Sequence, residues 1–148
     1  MISQTAEYAL RAVVALAQAG APQTTRQLAL TTRVPSGYLA KVLQMLGRAE
    51  IVNAQRGLHG GFTLRRSPDG LTVLDIVNAV DPVQRLRTCP LGLAAHGANL
   101  CPLHQRLDQA MASVEAALAA STIAELLAED TRSTPLCDAP PKKARPET

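Results

Sequence analysis

Residues 35–64 constrain this chain more than any other stretch. Leu39, Val42, Leu43 and Leu46 fall at i, i+3, i+4 and i+7, one apolar face of a helical period. The opposite face carries Ser36, Lys41, Gln44 and Arg48, all hydrogen-bond donors and two of them cations. Two short strand-like runs follow, 51–55 and 61–64, joined by a loop that holds Arg56, Gly57, Gly60 and Gly61. A donor-faced helix followed by a Gly-rich hairpin with an arginine at its tip is the outline of a winged helix-turn-helix. In that arrangement the helix enters a DNA major groove, and the hairpin arginine reaches a minor groove or a phosphate.

The residues upstream fit this outline. A first helix is expected over 5–19, with Ala6, Ala9, Leu10, Val13 and Ala17 on one face and Val14 and Leu16 widening it; Gly20 and Pro22 end it. Thr24 and Gln27 form a capping box opening a short helix to residue 32, with Leu28 and Ala29 inward. Thr32, Arg33 and Val34 make the turn, and Pro35 begins the next helix. A generic helical hairpin is the other reading, and the wing weighs against it.

Composition points the same way. The chain has 148 residues, 25 Ala and 21 Leu, but one Phe, two Tyr and no Trp, which favours closely packed helices. The fold class expected is mainly α: a winged helix-turn-helix with a two-stranded β wing and a long C-terminal dimerisation helix. Net charge is +3, unevenly spread. Residues 1–66 hold eight Lys/Arg against two Asp/Glu, while residues 67–148 hold seven against ten. The basic half coincides with the helix-turn-helix, the footprint expected for phosphate binding. Arg26, Arg33 and Arg48 are expected on phosphates, and Arg56 in a minor groove or on a phosphate. The plain alternative is a basic solvated surface.

No apolar run approaches the roughly 20 residues that span a membrane. Gln4, Glu7, Arg11 and Gln18 interrupt the first helix, so it is neither signal peptide nor anchor. A cytoplasmic protein is expected, with cysteines acting as thiols or ligands rather than in disulfides.

Beyond the wing, residues 67–70 form a turn. A helix over 72–80 turns Val73, Ile76, Val77 and Val80 inward, and Asp81-Pro82 stops it. A long helix from Pro102 carries a seam of Leu103, Leu107, Ala110, Val114 and Ala117, spaced 4-3-4-3, with Met111 and Leu118 thickening it. This suggests a homodimer interface; packing within one monomer is the alternative. Ser121 and Thr122 cap a short final helix over 123–128. The organisation expected is therefore a DNA-binding unit over 1–82, a Cys/His loop over 83–101, a dimerisation helix with a short C-terminal helix over 102–130, and a disordered tail over 131–148. Cys137 lies in that tail and is not counted as a ligand.

Four donors stand within sixteen residues of the loop: Cys89, His96, Cys101 and His104. Cys101 precedes Pro102, so it is expected as a helix N-cap whose sulfur meets unpaired N–H groups. His104, three residues on, lies near the same face, and Cys89 sits on a Pro/Gly loop that can reach them. The spacing is not that of an ordinary zinc finger. A bound metal or cluster, a vestigial site and a thiol redox switch all stay open. No phosphate loop, nucleophile elbow or acid–base carboxylate pair is present, so no enzyme is expected.

Taken together, several of these segments resemble the Rrf-type winged-helix transcriptional regulators, the family of the iron–sulfur cluster regulator and the nitric-oxide-sensing repressor. They are residues 5–12 (TAEYALRA), 38–43 (YLAKVL), Arg56-Gly57 with Gly60-Gly61-Phe62, 74–77 (LDIV) and 122–127 (TIAELL). The match spans about residues 1–128. The resemblance implies a dimeric regulator, usually a repressor, with one recognition helix and one wing per half of a pseudo-palindromic site on double-stranded DNA. It maps DNA contacts to Ser36, Tyr38, Lys41 and Arg56. Cluster-binding members carry three loop cysteines; here Cys89 and Cys101 match the outer two and His104 a further ligand. The middle cysteine is missing, and its place falls near Ala95, beside His96. The resemblance then implies a 2Fe–2S cluster completed by His96 or by Glu7 of the partner subunit, or zinc, or no metal.

Overall fold

The computed structural model describes residues 2–96, 99–131 and 133–136. Six α-helices and one hairpin follow in order: α1 (Gln4–Ala19), α2 (Thr25–Thr32), α3 (Ser36–Arg48), β1 (Val52–Gln55), β2 (Gly61–Leu64), α4 (Val73–Val80), α5 (Pro102–Ala119) and α6 (Ile123–Ala128). This is the expected mainly helical winged fold. Short 3-10 turns at Pro68–Gly70 and Ala94–His96 interrupt the connections.

Helix α1 is the hub. Its N-cap is Ser3, whose hydroxyl accepts the Ala6 N–H at 3.2 Å, and Gly20 ends it in the left-handed region with φ 60°. α2, α3, α4, α6 and β2 all pack on it. The single apolar face expected for α1 is therefore too narrow: Ala12, Val13, Val14, Ala15 and Leu16 are buried in succession. An alanine-rich helix at the centre lets neighbours approach from every side. On α3 the expected face holds, with Leu39, Val42, Leu43 and Leu46 all fully buried. Burying a leucine fully stabilises the fold by roughly 1.5–3 kcal/mol.

The Thr24–Gln27 capping box forms as expected and opens α2. Arg33 ends α2 in the left-handed conformation, φ 56°. Pro35 stands at the N-cap of α3, and the first helical residue is Ser36. The wing pairs β1 and β2 antiparallel, with Val52 opposite Leu64 and Gln55 opposite Gly61. Gln23, ahead of α2, adds a third rung: its N–H donates to the Phe62 carbonyl at 3.0 Å and its carbonyl accepts the Phe62 N–H at 2.7 Å. Gly61 permits that approach, because a Cβ there would stand 2.7 Å from the Gln23 backbone, at a φ of +148°.

Helices α4 and α6 begin side by side. Thr72 and Thr122 form a bridge, with Val73 N–H donating to Ser121 and Ile123 N–H donating to Leu71, both at 2.9 Å. Each helix opens on a capping box, Thr72 with Asp75 and Thr122 with Glu125. Asp75 also accepts from Arg66 at 3.0 Å. It is thus a capping residue at the heart of a small network.

Helix α5 leans on the body through a half-buried stripe of His104, Asp108, Met111, Glu115 and Leu118. The predicted seam runs one residue away and is exposed: Leu103, Leu107 and Val114 are among the exposed large hydrophobics. Met111 and Leu118 therefore do not thicken the seam. One residue turns a helix by about 100°, which places them on the stripe facing the monomer. No helix among the described residues is long and apolar enough to cross a membrane. Most of the tail expected to be disordered, with Cys137 in it, lies outside the described residues; those at 133–136 return to α1, where Gln18 donates to the Pro135 carbonyl at 2.7 Å.

Candidate nucleic-acid interface and cysteine loop

Arg26, Arg33, Ser36, Tyr38, Lys41, Arg48 and Arg56 are all exposed. α2 carries Arg26, the turn carries Arg33, α3 carries the next four and the wing carries Arg56. Their electrostatic setting divides the arginines of this chain. Arg11 pairs with Glu7 at 2.7 Å, Arg65 with Glu50 at 3.3 Å, Arg66 with Asp75 and Arg85 with Asp108. Among the described residues, Arg26, Lys41, Arg48 and Arg56 make no ion pair.

The start of α3 is braced from α1. Thr5 and Tyr38 share a hydroxyl hydrogen bond of 2.7 Å, and the Tyr8 and Tyr38 rings meet edge-on with centroids 5.4 Å apart. Arg11 lies over the Tyr8 ring, 5.5 Å from its centroid, and donates through Nη1 to the Thr32 carbonyl at 3.0 Å. It thereby satisfies a carbonyl at the end of α2, where no intrahelical donor remains. Thr32, the one buried polar side chain among the described residues, donates its hydroxyl to the Leu28 carbonyl. Sequence reasoning missed this brace. Only the Glu7–Arg11 spacing of four was legible, whereas Thr5–Tyr38 and Arg11–Thr32 cross between elements.

Of the readings left open for the cysteine loop, one shared centre is not what its donors form. Cys89 lies 3.4 Å from His96 Nδ1, and Cys101 lies 3.3 Å from His104 Nδ1. These are two separate couples. Among the described residues no group of three or more His, Cys, Asp or Glu side chains stands ready to hold a metal. Cys101 is the N-cap of α5 as expected, but its sulfur takes no N–H of the first turn and faces His104 instead. Cys89 is buried, and its sulfur faces His96. The main-chain N–H of Leu93, then the His96 side chain, then the main-chain N–H of Leu91 favour the thiolate and pull the thiol down to about 7. Glu7 is engaged by Arg11 within its own chain. A 2Fe–2S cluster or structural zinc needs four protein ligands. Two couples of two donors do not fit such a group in this arrangement.

What fastens the loop is Arg85. It grips Asp108 with two parallel hydrogen bonds, Nε–Oδ1 at 2.7 Å and Nη2–Oδ2 at 2.8 Å, and reaches Glu115 with Nη1 at 3.0 Å. Asp108 Oδ1 also accepts the Leu86 N–H at 2.9 Å. The Arg85 hydrogen bonds, helped by the Leu86 N–H, hold the Asp108 carboxyl down to about 2. No sequence signal marks a pair separated by 23 residues.

A family model matches residues 2–129: Rrf2, described as an iron-dependent transcriptional regulator. This chain belongs to the Rrf2 family. A protein of Aquifex aeolicus, named as a candidate HTH-type transcriptional regulator, is 26% identical over 86% of this chain and 91% of its own. A Mycobacterium tuberculosis protein of like designation is 30% identical over 84% of this chain and 80% of its own. Among solved structures, the global cysteine regulator CymR of B. subtilis superposes with TM-score 0.69 at 23% identity, over 85% of this chain and 95% of that one. The IscR structure from T. potens gives TM-score 0.71 at 22% identity, over 86% and 85%. At these identities the structures speak for the winged fold. This Rrf2 chain is a DNA-binding transcriptional regulator, not an enzyme.

Proposed function

We propose that this Rrf2 protein acts in the cytoplasm as a homodimeric repressor on a pseudo-palindromic operator, each subunit offering α3 to a major groove and the wing to the adjacent minor groove. The observation that carries the reading is the set of exposed, unpaired cations Arg26, Lys41, Arg48 and Arg56 on α2, α3 and the wing. Arg26, Arg33 and Arg48 take phosphates, Ser36, Tyr38 and Lys41 meet base edges or flanking phosphates, and Arg56 reads groove shape. The exposed Leu103, Leu107 and Val114 stripe of α5 supports self-association through that helix.

The test is DNA selection from a random pool, followed by titration of the selected duplex against salt. Lys41→Ala and Arg56→Ala should each weaken binding, and a lost phosphate contact should lower the salt slope by about 1. Unchanged affinity in both variants would remove α3 and the wing from the interface. Leu107→Glu/Val114→Glu should convert a dimer to a monomer in sedimentation, and a native-like dimer in that variant would move the interface elsewhere.

For the loop, the separate Cys89–His96 and Cys101–His104 couples favour thiol chemistry over a shared cluster or zinc centre. An absorption spectrum of protein purified without oxygen, with iron, sulfide and zinc assayed, tests this. Stoichiometric iron and sulfide would overturn it and imply that assembly of the dimer gathers the donors.

A further inference from the structure

The most exposed large apolar side chain of the described residues is at the tip of the wing. Leu58 is 95% exposed, against 74% for Leu30 and 73% for Leu91. It does not ride on a loose loop. Gly60 N–H closes the tip onto the Gly57 carbonyl at 2.9 Å, and Gly57 takes a φ of +109° that an L side chain rarely adopts. Behind the tip, Phe62 is hydrogen-bonded on one edge to Gln23, and β2 is paired on the other with β1. β2 is thus held on both edges, and Leu58 stands exposed between exposed Arg56 and His59. Residues 51–64 contain no carboxylate.

A leucine projected into water at the centre of a cationic tip gains nothing from its own fold. It gains if the surface it meets is anionic at its edge and apolar at its centre. A DNA minor groove has that character: phosphates line its rims, and base stacks and sugars form its floor. Ribbon arms that enter minor grooves carry apolar side chains which wedge between base steps and kink the duplex.

We propose that Leu58 is such a wedge, entering a minor groove and partly unstacking one base step while Arg56 anchors the tip beside it. The inference rests on the DNA-binding reading and adds to it which residue deforms the DNA and which sequences permit that. Pyrimidine–purine steps unstack most easily, so the wing selects a TA or CA/TG step at a fixed distance from the bases read by α3. It does so without a hydrogen bond to a base.

The experiment uses the full-length protein and the duplex it selects from a random pool. 2-Aminopurine is placed in turn at each step flanking the α3 contact, and bending is followed by energy transfer between labelled ends. With the native protein, one step should brighten and the duplex should bend. Leu58→Ala should abolish both signals and lose roughly tenfold in affinity. Leu58→Met should keep most of each. The salt slope of Leu58→Ala should equal that of the native protein, because no cation is lost, whereas Arg56→Ala, which removes a charge from between the phosphate rims of the groove, should lower it by about 1. Brightening, bending and affinity all unchanged in Leu58→Ala would overturn the wedge while leaving DNA binding intact. Failure of the native protein to select any duplex would overturn the interface reading itself, and the wedge with it.

Discussion

The phenol of Tyr38, in the first turn of α3, ends 2.7 Å from the hydroxyl of Thr5, in the first turn of α1. The helix proposed to face DNA is therefore registered against the hub helix at the end that would enter the groove. Ile2 and Ser3, just before α1, share a groove of about 420 Å³ with Pro82, Val83 and Gln84 and with Met111 and Leu118 of α5. The start of α1 thus borders both the groove beside α5 and the first turn of α3.

Tyr38→Phe should cost about 0.5–1 kcal/mol, the scale of one hydrogen bond, and Thr5→Val should cost about the same. Their double variant should cost no more than either alone, because both remove one bond. Urea unfolding of the three variants checks this; additive losses would mean that the two hydroxyls act separately. If the hydroxyl serves mainly to aim α3, both single variants should weaken DNA binding alike.

Arg85 and Asp108 make a pH-dependent fastening. The folded-state carboxyl titrates at about 2, against an ordinary 3.8. Its contribution is complete above about pH 4 and is lost as the pH falls through about 2, because the unfolded chain takes up the proton first. Asp108→Asn should lower the urea midpoint at pH 7 and flatten the profile between pH 4 and pH 2. A variant whose profile parallels the native one down to pH 2 would show that the pair does not hold the loop to α5.

The Cys89 thiol, lowered to about 7, should be half ionised near neutral pH. In a Cys101→Ser/Cys137→Ser background, thiolate absorbance at about 240 nm should rise through that pH. His96→Ala should move the rise upward by only part of the shift, since Leu93 and Leu91 still donate from the main chain. A midpoint in the ordinary thiol range, near the free-cysteine value of about 8.5, would mean that the loop does not cradle the sulfur.

Gly61→Ala should detach the wing from Gln23. The added Cβ would meet backbone atoms at 2.7 Å at a left-handed φ, and backbone cannot swing away as a long side chain can. A loss of about 2 kcal/mol or more is expected, with faster proteolysis between residues 55 and 61. Gly60→Ala, whose Cβ would collide with the Gln55 carbonyl, should act in the same direction. A native-like melting temperature in both would show that the hairpin can relax at little cost.

Local patterns that repeat within one element were legible before any coordinates. The i, i+3, i+4 face of α3, the Thr24–Gln27 box, the glycines of the wing and Pro102 at the start of α5 all act through neighbours a few residues away, so their spacing carries their meaning. The exposed positions of Lys41 and Arg48 follow from the same periodicity of α3. Only the tertiary structure decided which cations are neutralised, because Arg66–Asp75 and Arg85–Asp108 close between elements. It also decided that α1 is buried nearly all round, that Gln23 clamps the wing, and that α5 turns Met111 and Leu118 toward its own monomer. The cysteine loop shows the limit most plainly. Four donors in sixteen residues left a shared centre open, but spacing in an irregular loop does not determine distance. There the fold of residues 89–96 and the N-cap of α5 sorted the donors into two couples.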